Sequence, residues 1–240
     1  MIDLHAHILP ELDDGALNLE DSVAMARQAS QDGIDAVCAT PHIRHDHDVR
    51  ISEITPRVGE LQRALVREHV DIRILPGGEL AQSAAEALTV EELHKVSLGG
   101  AGGWVLLEPA PGPIADELTV AVEHLAELGF GTIVAHPERH AGADFHERLL
   151  ALAARGCLIQ WTADFVAHAG PRDLVLDYAR EGLVHLLASD AHSSLAGRPL
   201  RLAQGFARLR DVCPREWVDW MAEHAPCAIV AGEPAAAPWS

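Results

Sequence analysis

The sequence predicts an α/β fold in which a parallel sheet is covered by helices and curls into a closed or nearly closed β/α barrel. Three observations carry this expectation. Seven apolar, partly β-branched runs recur at the spacing of βα units, and helical periodicity fills most of the intervals between them. No dinucleotide-type glycine fingerprint follows the first run, which argues against an open doubly wound sheet.

The first strand is Met1–His5. Leu19–Ser30 follows as a helix, with Val23, Ala26 and Ala29 at helical spacing behind acidic Glu20 and Asp21. Ala36–Thr40, Ile72–Pro76 and Trp104–Glu108 are the second, third and fourth strands. In Ile114–Leu128, the positions Leu118, Val122 and Leu125 line one helical face and Gly129 supplies the stop. Thr132–His136 is the fifth strand, followed by a helix over Asp144–Ala154 closed by Gly156. Cys157–Trp161 is the sixth strand, Arg172–Arg180 a helix closed by Gly182, and Val184–Ser189 the seventh strand. Strands apolar on both faces belong to a sheet buried on both sides. Pattern alone does not separate an irregular seven-stranded barrel from an open sheet. Residues 1–230 read as a single domain without repeat or linker, and the Pro/Ala-rich residues 231–240 as a loose tail.

Composition narrows the function. With 240 residues, 48% hydrophobic and 22% charged, the chain is ordinary globular protein and not a disordered one. Its charge, 18 − 36 = −18 with neutral histidines, is the wrong sign for a general nucleic-acid binder or a membrane-surface protein. Cys38, Cys157, Cys213 and Cys227 lie far apart without a CxxC pair, the usage of a reducing compartment. The amino terminus shows no signal-peptide pattern, and no apolar stretch approaches a membrane span, so a cytoplasmic protein without membrane insertion is expected. Fifteen histidines beside thirty-six acids are ligand material if they converge.

They converge at the strand ends. The first strand gives His5 and His7, with Asp13 and Asp14 in the loop beyond; the second gives His42, the third Glu79 and the fourth Glu108. The fifth gives His136, and the seventh Asp190 and His192. Active sites of β/α barrels sit at this rim, where the loops meet. Residues i and i+2 of a strand face one side, so His5/His7 and Asp190/His192 each aim two ligands at one point. One histidine at a strand end is more often structural; two such pairs with four further ligand types are not a chance pattern. Nitrogen and oxygen donors suit Mn, Fe or Zn and argue against a thiolate-rich structural zinc site. Four carboxylates (Asp14, Glu79, Glu108, Asp190) and four or five imidazoles are too many for one ion, so two or three are implied. Three divalent ions against those four acids leave about +2, an anion-binding centre suited to a phosphate ester. Arg139 and Arg198, close by in sequence, are candidate bidentate phosphate clamps, with a surface salt bridge as the ordinary alternative.

These residues resemble a known family. Met1-Ile2-Asp3-Leu4-His5-Ala6-His7, Asp13-Asp14-Gly15, Thr40-Pro41-His42, Gly78-Glu79, Leu107-Glu108, His136-Pro137-Glu138-Arg139 and Ser189-Asp190-Ala191-His192 resemble the polymerase-and-histidinol-phosphatase (PHP) superfamily. More narrowly, they resemble its bacterial manganese-dependent protein-tyrosine phosphatases of capsule and exopolysaccharide loci, over nearly the whole chain to about residue 230. The resemblance implies a distorted seven-stranded β/α barrel holding three metals. One would sit on His5, His7, Glu79 and Asp190, and a second on Glu79, Glu108 and His136 with Glu79 bridging. A third would use Asp14, His42 and His192. It also implies that Arg139 and Arg198 bind phosphate, that Mn2+ is the cofactor, and that the substrate is a tyrosine-phosphorylated protein such as a bacterial tyrosine kinase. The loop Arg44-His45-Asp46-His47-Asp48 reads as a solvated polar loop, with contact of its histidines to metal or substrate as the alternative.

Competing readings are weaker. Cys38 and Arg44 fit the C-x5-R spacing of cysteine-dependent tyrosine phosphatases, but Pro41 has no N–H to offer phosphate and Cys38 lies in an apolar strand. Amidohydrolases share the H-x-H opening yet use a carboxylated lysine, and Lys95 follows a helical stretch. A histidinol-phosphate phosphatase and a non-catalytic metal-binding module are the remaining alternatives. For substrate, Ile8, Leu9, Pro10, Trp161, Phe165 and Val166 are candidate apolar walls of the mouth, or else core.

Overall fold

The computed structural model describes residues 1–170 and 173–239. Among them are nine strands: β1 (Ile2–Ala6), β2 (Ala36–Ala39), β3 (His42–Ile43), β4 (Arg73–Pro76), β5 (Glu79–Ala81), β6 (Trp104–Glu108), β7 (Gly131–Ala135), β8 (Leu158–Thr162) and β9 (Leu186–Ala188). All pairings are parallel, in one sheet of order β1-β2-β4 and another of order β3-β5-β6-β7-β8-β9. Neither sheet closes on itself. The expected count of seven becomes nine because two strands break. Pro41, lacking an N–H for the ladder, separates β2 from β3, and Gly77-Gly78 separates β4 from β5. A side chain at Gly78 would crowd Ile43 Cγ1 at 2.9 Å and Val96 Cβ at 3.0 Å, so this close approach requires glycine. After each break the chain re-enters the second sheet, carrying His42 and Glu79 side by side in register.

The far ends of the two sheets meet. His7 N–H donates to Ala191 O and Asp190 N–H to His5 O, each at 2.8 Å, and Ala6 bridges Ala191. β1 thereby lies beside the exit of β9.

Helices form where the periodicity predicts them, at Leu19–Gln31, Asp116–Glu127, Phe145–Ala153 and Leu174–Arg180. Arg172, where the last was expected to begin, lies outside the described residues. Asn18 caps the first by accepting from Asp21 N–H at 2.9 Å. Apolar side chains of these helices close over strands buried on both faces, with Leu106, Leu107, Ile133, Val134 and Ile159 fully enclosed.

The carboxyl-terminal segment, expected as a loose tail, is docked. Ala235 and Ala237 are buried, and the Trp239 indole donates to Gly182 O at 3.0 Å while packing on Trp217 and Trp220. A Pro/Ala composition hides this, because the segment is held at Glu233 by Trp104 and at its end by Trp239. Ser240 lies outside the described residues.

Candidate metal centre

The nine candidate metal ligands meet in one cluster. Their ligand atoms fall into four overlapping groups: His7, Asp14, His42 and His192; His5, His136 and Asp190; His5, His7 and Glu79; and His42, Glu79 and Glu108. Atoms within each group lie no more than 4.8 Å apart. The grouping differs from the expected partition in three ways, the first being that His7 also joins Asp14, His42 and His192. His42 stands between two groups, with Nδ1 2.9 Å from Glu79 Oε2 and Nε2 3.4 Å from Asp14 Oδ1. His136 approaches Glu79 Oε1 at 2.7 Å but also groups with His5 and Asp190.

Glu79 is the hub. Fully buried, it turns Oε2 to within 3.4 Å of His5 Nε2 and 3.3 Å of His7 Nε2. Asp190 Oδ1 stands 3.4 and 3.5 Å from the same two nitrogens. Ligands about 2.1 Å from one ion at near-tetrahedral or octahedral angles are themselves about 3.0–3.4 Å apart, so these separations match a cation's coordination shell. Glu79 Oε2, Asp190 Oδ1, His42 Nδ1 and His136 Nδ1 are buried without a hydrogen-bond partner among the described residues. Such atoms are costly to leave unpaired, and Glu79 Oε2 and Asp190 Oδ1, each 3.4 Å from His5 Nε2, fit a missing positive charge between them. The residues present therefore fit divalent ions.

The backbone is bent to serve the cluster. His136 and Asp190 both hold positive φ, 27° and 51°, a strain of about 1–3 kcal/mol each for non-glycine residues. In the loop after β1, a side chain at Gly15 would collide with the His7 carbonyl oxygen, so only glycine lets Asp13 and Asp14 fold back over the strand end. Asp14 then stands at the exposed edge, with Oδ1 3.6 Å from His192 Nε2.

Sequence reasoning placed Asp13 in this loop without a task. It holds His7, with Oδ2 2.7 Å from Nδ1, and accepts from the backbone N–H of His42 at 3.0 Å. This leaves His7 Nε2 to face Glu79 and Asp190, the second-layer arrangement common behind metal-bound histidines. Burial alone would raise the Asp13 carboxyl; the His7 contact and backbone donors hold it down at about 2. Gln160 was missed altogether, because the sixth strand supplies no carboxylate or imidazole; its Oε1 lies 3.0 Å from His5 Nδ1.

Protonation follows from the same crowding. Burial would depress His5 and His7, yet neighbouring acids raise both: Glu79 and Asp190 act on His5, and Asp13, Asp190 and Glu79 on His7. Burial opposes ionisation of Glu79, but His5, His136 and His42 hold its carboxyl well below the usual range. Burial, then the Glu79 charge, raises Glu108. Burial, then His7, pushes His192 down to about 4. Protons on imidazoles here stand in for cations, and metal binding displaces such protons.

Arg139, on a short 3-10 turn after β7, forms an ion pair with Asp190 Oδ2. Arg198 reaches the same oxygen at 3.1 Å and donates through Nε to Asp190 O at 2.8 Å. Both candidate clamps thus converge on one point at the mouth while remaining about one-third exposed. The loop read as solvated, with contact to the site as its alternative, is partly engaged: His47 packs on His42 with centroids 4.9 Å apart, and Arg44 Nη1 lies 3.5 Å from Glu108 Oε2. Cys38, by contrast, is sealed within β2 and burial pushes its thiol up to about 12, so it is no nucleophile. Of the candidate apolar walls, Ile8, Leu9, Trp161 and Val166 are core, while Phe165 is half exposed and stacks on Trp161.

The model of one family, capsular polysaccharide synthesis CpsB/CapC, matches residues 1–230. The chain belongs to the CpsB/CapC family. Among its relatives, the tyrosine-protein phosphatase YwqE of Bacillus subtilis is 30% identical over 200 residues, covering 80% of this chain and 78% of that protein. The putative tyrosine-protein phosphatase CapC of Staphylococcus aureus is 28% identical over 215 residues, covering 86% and 82%. In fold, the chain matches one of the crystal structures of YwqE from Bacillus subtilis and CpsB from Streptococcus pneumoniae, described as unique metal-dependent tyrosine phosphatases. The TM-score is 0.85 at 26% identity, over 98% of this chain and 96% of that one. The parallel α/β architecture is therefore that of a CpsB/CapC protein.

Proposed function

We propose that this chain is a metal-dependent phosphomonoester hydrolase that removes phosphate from tyrosine in proteins, with a tyrosine kinase controlling capsule or exopolysaccharide synthesis as its substrate. The observation that carries this reading is the buried cluster of unpartnered ligand atoms beneath two converging arginines, in a family whose relatives are named tyrosine phosphatases. His5, His7, Asp14, His42, Glu79, Glu108, His136, Asp190 and His192 would hold two or three divalent ions, Mn2+ by the family resemblance, with Fe or Zn equally compatible with an all-nitrogen-and-oxygen donor set. Bound divalent ions supply an activated water at neutral pH and neutralise charge on phosphoryl oxygens.

The chain's own residues do the rest. Arg139 and Arg198 exchange their contacts with Asp190 Oδ2 for two phosphoryl oxygens and hold the group in line. Glu79, shut away from solvent, fixes His5, His7, His42 and His136 about one carboxylate. Phe165, half exposed on the segment after β8, offers an aromatic surface to the phenyl ring.

The same proposal covers architecture and location. Residues 1–230 form one unit, and β2/β3 and β4/β5 count as halves of single strands of a seven-stranded PHP-type barrel; the bridge between Ala6 and Ala191 supports that reading. Four free cysteines support a cytoplasmic setting, and no helix among the described residues is long and apolar enough to cross a membrane.

The test is substrate preference. A tyrosine-phosphorylated peptide should be hydrolysed with higher kcat/KM than a phosphoserine peptide or histidinol phosphate. Histidinol phosphate winning by about tenfold, or about 1.4 kcal/mol in transition-state binding, would overturn the tyrosine assignment.

A further inference from the structure

We propose that Gln160 is a positioning residue of the metal centre: its carboxamide oxygen fixes the proton of His5 on Nδ1 and so commits Nε2 to the ion. The inference rests on reading the cluster as a metal centre. Gln160 sits in β8 between Ile159 and Trp161, in a strand otherwise built for burial, and is itself fully enclosed. A buried primary amide needs a reason, since unpaired polar groups are costly there.

Its bonding supplies the reason. Oε1 lies 3.0 Å from His5 Nδ1, whereas Nε2 has no partner among the described residues. An amide kept for packing or for cross-linking strands would satisfy both ends; this one satisfies only the end facing the histidine. The chemistry runs one way. An acceptor opposite Nδ1 requires Nδ1–H, which leaves the lone pair of Nε2 directed at the point shared by Glu79 Oε2 and Asp190 Oδ1, 3.4 Å from each. His5 and His7 are thus treated alike by different means. Asp13 takes the Nδ1 of His7 with a carboxylate at the loop edge, and Gln160 takes that of His5 with a neutral amide from the opposite side of the sheet sequence. A neutral partner is reasonable at His5, because Glu79 and Asp190 already crowd it with negative charge.

The experiment uses the full chain, stripped of metal and titrated with Mn2+ against a fluorescent chelator. Gln160→Leu should weaken the tightest Mn2+ binding by roughly 10- to 100-fold. Gln160→Met, of similar length and also without the strong acceptor, should do the same with less repacking. Gln160→Glu, which retains an acceptor, should stay within about threefold of the parent. Melting of the metal-free Leu and Met variants should be no lower than the parent's, because a half-satisfied buried amide is being removed. Unchanged Mn2+ affinity in Gln160→Met, or a lowered metal-free melting temperature with affinity intact, overturns the assignment in favour of a structural role. A parent chain that takes up no divalent ion overturns the metal reading itself and this inference with it.

Discussion

At the amino ends of the strands Trp104, His185 and the docked Trp239 find hydrogen-bond partners, whereas at the carboxyl ends several buried ligand atoms do not. Trp104 Nε1 donates to Glu233 O at 2.8 Å and Trp239 Nε1 to Gly182 O at 3.0 Å, while His185 accepts from Ile159 N–H and stacks on Trp239. Opposite them, Glu79 Oε2, Asp190 Oδ1 and two histidine nitrogens are buried without partners, and His136 and Asp190 bend their backbones to positive φ. One end is arranged for stability. The other gives up stability to aim ligands, the division expected of a β/α scaffold whose chemistry sits above its strands. Mutations should respect it: those at the mouth should move turnover, and those at the base should move melting.

Beyond the ligands themselves, the largest effect should come from the clamps. Arg139→Ala and Arg198→Ala should each lower kcat by roughly 30- to 1000-fold, about 2–4 kcal/mol, by losing a charged contact to the phosphoryl group. Metal analysis should show the ions retained. Depleted metal would move the arginines, which both touch Asp190, to a supporting role and blur the comparison.

A smaller effect is expected at the base. Trp239→Ala should cost about 2–3 kcal/mol of stability, less than a fully buried tryptophan because it is only partly enclosed, and should leave kcat/KM unchanged. A variant that melts normally but loses turnover would mean the docked tail reaches the mouth. The smallest effect belongs to Cys38→Ser. A hydroxyl in the sealed β2 strand should cost about 1–2 kcal/mol, with activity retained. Lost activity at intact folding and metal content would revive a thiol mechanism.

Much of the mouth was legible because its signal is discrete. Two H-x-H-like pairs and single acids at strand exits are residue types that an apolar strand has no packing use for, so His5, His7, Glu79, Glu108 and Asp190 stood out. Gln160 did not, since one amide in Cys157–Trp161 has no ligand spacing to betray it; its mismatch with a doubly buried strand was the available clue. Asp13 was visible only as a neighbour of Asp14, because choosing between ligand and support needs the direction of His7 Nδ1. The breaks at Pro41 and Gly77-Gly78 were in plain view, but β3 and β5 are two and three residues long, too short for any periodicity. The docked tail was illegible for a different reason: its fixation depends on a distant aromatic cluster and not on local pattern.

On the proposed function, the unpartnered atoms at the mouth exist for metal ions that run phosphotyrosine hydrolysis. The direct measurement titrates Mn2+ into the stripped chain while following bound metal and hydrolysis of a tyrosine-phosphorylated peptide together. Activity absent after chelation and rising with bound Mn2+, and no such recovery in Glu79→Ala, is the predicted result. Full hydrolysis by the metal-free chain would contradict it.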